Sequence, residues 1–184
     1  MQPHSQQQPQ RRIHGRTLIL VAESHGHTHA VATAIASRMR TAGHVVDVRD
    51  ANSGSQPAAD DYDAIILGAD AAVKRDRRVL GDYVANHRGR LHDIPTGLFL
   101  VCESDRGADP HHFVDAFETR LGMRARFAAV FSYGRLRTFS NLLRSLLVAV
   151  LHYIDGAVAD RGAKELRALA DAMMNEVAKS RARR

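Results

Sequence analysis

Short apolar runs along this chain alternate with segments whose apolar positions recur every three or four residues. The first run, Thr17–Ala22 (TLILVA), is continuous rather than alternating, the pattern of a strand buried on both faces of a parallel sheet. From Thr28 the period lengthens: Val31, Ile35 and Met39 recur every fourth residue with alanines between them. Gly43 supplies the stop, so an amphipathic helix of about four turns is predicted. His44–Asp50 (HVVDVRD) reads as a second strand, followed by a polar, turn-forming connection, ANSGSQPAADDYD. Ala64–Ala69 (AIILGA), Thr96–Val101 (TGLFLV) and Ala125–Tyr133 (ARFAAVFSY) read as the third, fourth and fifth strands.

Helical spacing links these strands. Val79, Leu80, Tyr83, Val84 and His87 mark one helix, and Phe113, Phe117 and Leu121 mark another, which opens at Pro110 and closes at Gly122. After the fifth strand, Leu143, Leu147, Val150 and Ile154 mark a helix ending at Gly156, and Leu166, Leu169, Met173 and Val177 mark the last. This alternation predicts an α/β fold, a doubly wound five-stranded parallel sheet with helices on both faces. Residues 1–16, rich in Gln and Pro with no apolar stretch, read as a disordered leader, and 17–184 as one domain without internal repeats.

The formal charge of +6 alters the picture less than its size suggests, because much of it is terminal. Arg11, Arg12 and Arg16 precede the first strand, and Lys179, Arg181, Arg183 and Arg184 close the chain, where they read as solvated ends. With no aromatic stacking platform and no recognised motif, nucleic-acid binding is not predicted. Asp60, Asp61 and Asp63 read as a solvated acidic cluster. The single cysteine, Cys102, cannot form an intramolecular disulfide, which suits a reducing cytoplasm. The apolar run Leu146–Leu151 is far shorter than the roughly 20 residues of a membrane span.

Candidate chemistry begins where the first strand meets the first helix. Such a loop presents unpaired N–H groups at the positive end of the helix dipole, and a glycine allows close approach of an anion. Ser24–Thr28 is therefore the predicted phosphate seat, with Thr28 either a helix N-cap or a phosphate ligand. There is no G-x-G-x-x-G for a dinucleotide and no G-x-x-x-x-G-K-[ST] for a nucleoside triphosphate. His25, His27 and His29 alternate, but a helix beginning near Thr28 turns their rings apart, and no metal site is assigned.

The buried strand, the short loop with G-x-T, the helix and the later YDAIILGA together resemble the flavodoxin-like family. Asp61–Asp63, Leu67–Ala69 and VFSYGRLRTFSNLLRSLLVAVL (Val130–Leu151) are similar to features of its menaquinone-dependent protoporphyrinogen oxidase group. The resemblance implies FMN as cofactor and three binding loops. The first holds Glu23, Ser24, His25, Gly26, His27 and Thr28. The second holds Ala69, Asp70, Ala71, Ala72 and Val73 near the flavin ring, and the third holds Cys102, Glu103, Ser104 and Asp105. It further implies an oxidoreductase passing electrons from a small porphyrinogen-like reductant to a quinone.

Two positions depart from that pattern. Glu23 stands where the resembled loops carry Ser or Thr; losing a hydrogen bond to a charged group costs about 1.5–3 kcal/mol, and a carboxylate facing a phosphate adds repulsion. His25 and His27 offer N–H donors in partial compensation. The second loop, ADAAVKRD, has no aromatic side chain to stack on the ring. These departures leave a second reading open: a flavodoxin-like domain that has lost FMN and serves as a binding or interaction module. The apolar segment Phe139–Ile154, with Arg135, Arg137 and Arg144 near its start, reads as a core helix, a peripheral membrane contact or a contact between copies.

Overall fold

The computed structural model describes residues 14–23, 26–54, 56–103, 110–133 and 159–183. The apolar runs become strands β1 (His14–Val21), β2 (His44–Asp50), β3 (Ala64–Asp70), β4 (Thr96–Glu103) and β5 (Phe127–Tyr133). They form one five-stranded sheet in the order β2-β1-β3-β4-β5. Every pairing is parallel. Helices α1 (Gly26–Thr41), α2 (Lys74–Asn86), α3 (Arg88–Asp93), α4 (Pro110–Leu121) and α5 (Ala159–Ala182) connect and follow the strands, with a 3-10 turn at Ala59–Asp61. The doubly wound arrangement predicted from the pattern is the one observed.

Because side chains alternate across a strand, a continuous apolar run feeds two cores at once. Leu18, Leu20, Ile65, Leu67, Leu98 and Leu100 point to one face, where α2 and α4 contribute Leu80, Tyr83, Val84 and Phe117. Ile19, Val21, Ile66, Phe99 and Val101 point to the other, against Ile35 and Met39 of α1 and Met173 and Val177 of α5. The edge strand β2 keeps several of its side chains in contact with solvent, which is why its sequence tolerates Asp47 and Arg49.

Boundaries moved where charge or geometry overrode pattern. β1 begins at His14, so His14, Gly15 and Arg16, counted with the leader above, belong to the sheet. β5 starts at Phe127, two residues later than its apolar run suggests. α2 starts at Lys74, ahead of its first periodic residue, because its opening turn is polar. The helical pattern Leu143–Gly156, with the membrane and dimer readings attached to it, lies outside the described residues.

The acidic cluster is not simply solvated. Asp63 Oδ2 accepts the Arg16 backbone N–H at 2.8 Å and the Arg181 guanidinium at 2.9 Å. Asp60 faces Arg90 at 3.7 Å. Arg181 and Lys179, read as a solvated tail, are likewise engaged, Lys179 with Glu176 at 3.7 Å. Beside them Asp47 Oδ2 accepts Arg16 Nε at 3.1 Å and Nη2 at 2.7 Å, and the Tyr62 hydroxyl at 3.1 Å. The Arg16 guanidinium also lies 4.9 Å from the Tyr62 ring centre. Burial pushes the Asp47 carboxyl up, but the hydrogen bonds from Arg16 and Tyr62 outweigh it and hold the group below its ordinary value. Apart from Lys179 with Glu176, these pairs join positions far apart in sequence, so no local pattern announces them.

Two predictions follow from this packing. A Cβ at Gly68 would overlap the tip of the Phe99 ring; Phe99 cannot retreat freely because it packs T-shaped against Phe131, their ring centroids 6.2 Å apart. Gly68→Ala should therefore cost about 1–3 kcal/mol, read as a lowered urea midpoint with an unchanged slope. For Asp47, a depressed folded value means stability that is present above the unfolded value and lost as pH falls through the folded one. Asp47→Asn should lower the melting temperature at pH 7, and the gap to the parent should close below the ordinary carboxyl value of 3.8.

Candidate functional site

All five strands being parallel, their carboxyl ends share one edge, and in this architecture that edge is where ligands bind. Val21 of β1 lies opposite Gly68 of β3, Asp70 of β3 opposite Val101 of β4, and Glu103 of β4 opposite Tyr133 of β5. The three sequence-predicted loops therefore emerge side by side. Ser24, His25, Ser104 and Asp105 lie outside the described residues.

The first loop is fastened on both sides before it turns into α1. Ala22 N–H donates to the Gly68 carbonyl at 3.0 Å, and Ala51 N–H to the Val21 carbonyl at 2.7 Å. The Asn52 side-chain amide donates to the Ala22 carbonyl, while Asn52 N–H closes onto Asp50 Oδ1 at 2.8 Å. Gln56 Nε2 reaches the Ala51 carbonyl at 3.0 Å and steadies the same connection. Neither Asn52 nor Gln56 was singled out from sequence; both sit in a stretch whose composition announces only a turn.

Helix α1 begins at Gly26, two residues before the position expected. Gly26 has φ 77°, the left-handed region, and the space its missing Cβ would take is open. Thr28 is inside the first turn and 2% exposed, so it is not the N-cap. No acidic side chain occupies that turn, and His27 is exposed on it. The first turn of a 16-residue helix thus begins at a glycine with open space beside it, at the positive end of its dipole. Glu23, exposed at the mouth, precedes that turn.

The second loop has a different character. Ala69 is buried, Asp70 ends β3, Ala71 and Ala72 make the turn, and Val73 is 39% exposed. Asp76, in the first turn of α2, is only 3% exposed, and its Oδ2 accepts the Asp70 N–H at 3.1 Å. Burial pushes the Asp76 carboxyl up; the Asp70 N–H opposes that, and the charges of Glu23 and Asp70 push it further up. Glu23 therefore shares its field with the carboxylates of the second loop. Sequence reading passed over Asp76 because it falls before the apolar periodicity of its helix; the signal available was an acidic residue three places into a helix, where it can accept backbone donors. In the third loop, Cys102 is half-buried and Glu103 ends β4.

The edge thus divides into a part at α1 with no acidic side chain in its first turn and an acidic part at β3 and α2. Among the described residues no cluster of His, Cys, Asp and Glu has the arrangement of a metal site. A groove of about 590 Å³ between α4, β5 and α5, lined by Val114, Phe127, Val130 and Leu169 among others, contains no residue of the three loops.

Comparison with known proteins agrees with this architecture. A family model described as a flavodoxin domain matches residues 18–145. Protoporphyrinogen IX dehydrogenase [quinone] of Escherichia coli K12 is 27% identical over 86 residues, covering 47% of this chain and 48% of that protein. The chain thus matches about half the length of that curated relative. The protein of the same name from Leishmania major is 24% identical over 174 residues, covering 84% of this chain and 75% of the relative. Among solved structures, two-electron reduced Megasphaera elsdenii flavodoxin superposes with a TM-score of 0.57 at 17% identity, over 86% of this chain and 98% of the flavodoxin. RosB with a bound riboflavin-phosphate intermediate superposes with a TM-score of 0.53 at 13% identity, over 90% and 78% of the two chains. By its sequence match and its sheet order, the chain belongs to the flavodoxin-domain family.

Proposed function

We propose that this chain binds FMN at the carboxyl edge of its sheet and acts as an oxidoreductase, passing electrons from a porphyrinogen-like reductant to a quinone. One observation carries the reading: the first turn of α1 is free of acidic side chains and begins at an open, left-handed glycine, Gly26. The residues present fit a phosphate there, since the N–H groups of Gly26, His27 and Thr28 lead a helix whose dipole favours an anion. The second loop and Cys102 would flank the ring, with Val73 offering apolar contact where an aromatic is lacking. The names of the relatives supply the reductant and acceptor classes.

When bound, FMN supplies the one- and two-electron chemistry, and no protein nucleophile is required. The chain's own contribution is to seat the phosphate at α1 and hold the second loop in a fixed shape. No helix among the described residues is long and apolar enough to cross a membrane. A second reading, the domain that has lost FMN, draws on Glu23, Asp70 and Asp76, whose three carboxylates gather at the same edge.

An FMN titration decides between them. Flavin absorbance in the purified protein, or saturable quenching of flavin fluorescence, supports the oxidoreductase; no binding at high micromolar FMN overturns it. Glu23→Ser should tighten binding at least about tenfold by restoring a hydroxyl and removing a charge. Gly26→Val should abolish it, because a β-branched residue both disfavours positive φ and fills the open space. Equal affinity in both variants would place the phosphate elsewhere.

A further inference from the structure

The turn Asp70–Val73 is shaped entirely from within. Asp70 N–H goes to Asp76 Oδ2 at 3.1 Å, and Ala71 N–H to the Val101 carbonyl at 2.9 Å. Ala72 N–H goes to Asp70 Oδ1 at 2.8 Å, and Val73 N–H to the Asp70 carbonyl at 3.3 Å. The Ala71 carbonyl in turn accepts the Arg77 guanidinium at 3.2 Å. Four consecutive backbone donors are thus committed to the protein, and with them the carbonyls of Asp70 and Ala71.

At the head of this chain of bonds stands Asp76. We propose that Asp76 is a positioning residue for the second ligand loop: its buried carboxylate, anchored in the first turn of α2, takes the Asp70 N–H and so fixes the turn against which the flavin ring would rest. The inference rests on the FMN reading of the same edge. Asparagine would accept the same N–H without placing an ionised group where Glu23 approaches from the first loop and Asp70 from β3. Of the cations on α2, Arg75 eases the charge and Arg77 is turned to the Ala71 carbonyl. Burial, the Asp70 N–H, and the charges of Glu23 and Asp70, in that order of weight, leave the carboxyl raised on balance. The ionised side chain therefore costs the folded state something. Stability from this group is greatest when it is protonated and falls as pH rises through its folded value. A costly carboxylate where a neutral amide would hold the same bond is the signature of a site organised for function rather than for stability.

The test reads the turn and the ligand separately. In the protein without flavin, Asp76→Ala should speed hydrogen exchange of the Asp70 amide at least about tenfold and leave the Ile66 and Leu67 amides inside β3 unchanged. Asp76→Asn should keep Asp70 protected and raise the melting temperature at pH 7. With FMN, Asp76→Ala should weaken binding at least about tenfold, while Asp76→Asn stays near the parent at neutral pH. Unchanged Asp70 exchange in Asp76→Ala overturns the proposal, and so does unchanged FMN affinity in that variant. Failure of the parent protein to bind FMN would remove the functional reading instead; the exchange arm, which needs no flavin, would still decide whether Asp76 holds the turn.

Discussion

A parallel sheet covered on both faces has nowhere to put polar chemistry except its two ends, and the rest of this structure follows from that constraint. β3 is buried over six consecutive residues, and Leu18, Ile19 and Leu20 of β1 are fully buried. Charged side chains are thereby displaced to the strand termini, the edge strand β2 and the helices. All the strands run the same way, so their starts gather at one end and their exits at the other. The division of labour between a structural end and a ligand end comes before any particular functional residue.

Carboxylates are treated in opposite ways at the strand exits and away from them. Asp63, just before β3, and Asp47, midway along the edge strand β2, each receive an arginine, and Asp47 is held ionised by Arg16 and Tyr62 despite its partial burial. Those pairs tie β1, β2 and the start of β3 to one another and to the end of α5; being largely exposed, each is worth at most about 1 kcal/mol, and they act as a network. At the strand exits, Asp76 is buried and meets Glu23 and Asp70, with a backbone N–H as its recorded hydrogen-bond partner. One residue type thus stabilises the fold away from the exits and burdens it at them.

The sheet was legible because burial on both faces writes itself as uninterrupted apolar runs, and β2 and α4 were read with their observed limits. Less was legible wherever the decisive interaction was long-range. Arg16 looked like part of a leader until its backbone and guanidinium were placed on Asp63 and Asp47, 47 and 31 residues away. Thr28 looked like an N-cap because hydroxyls favour that position, but the left-handed Gly26 starts the helix earlier and draws Thr28 into the core. The strand exits that carry the three candidate loops could be read from the ends of the apolar runs. Asp76 and Asn52 could not, since each acts by holding a backbone group of another segment.

Glu23 shows why a single departure from a family pattern is hard to weigh in isolation. Taken alone it is a carboxylate in a phosphate loop. In the folded protein no acid lies within the first turn of α1, and the charge of Glu23 is felt at Asp76, across the junction of β1 and β3. The positive end of the 16-residue helix α1 and the carboxylates of Glu23, Asp70 and Asp76 therefore lie side by side. The weight of Glu23 is therefore set by its neighbours at the strand exits rather than by its place in one loop: its charge adds to that of Asp70 in disfavouring the ionised form of Asp76.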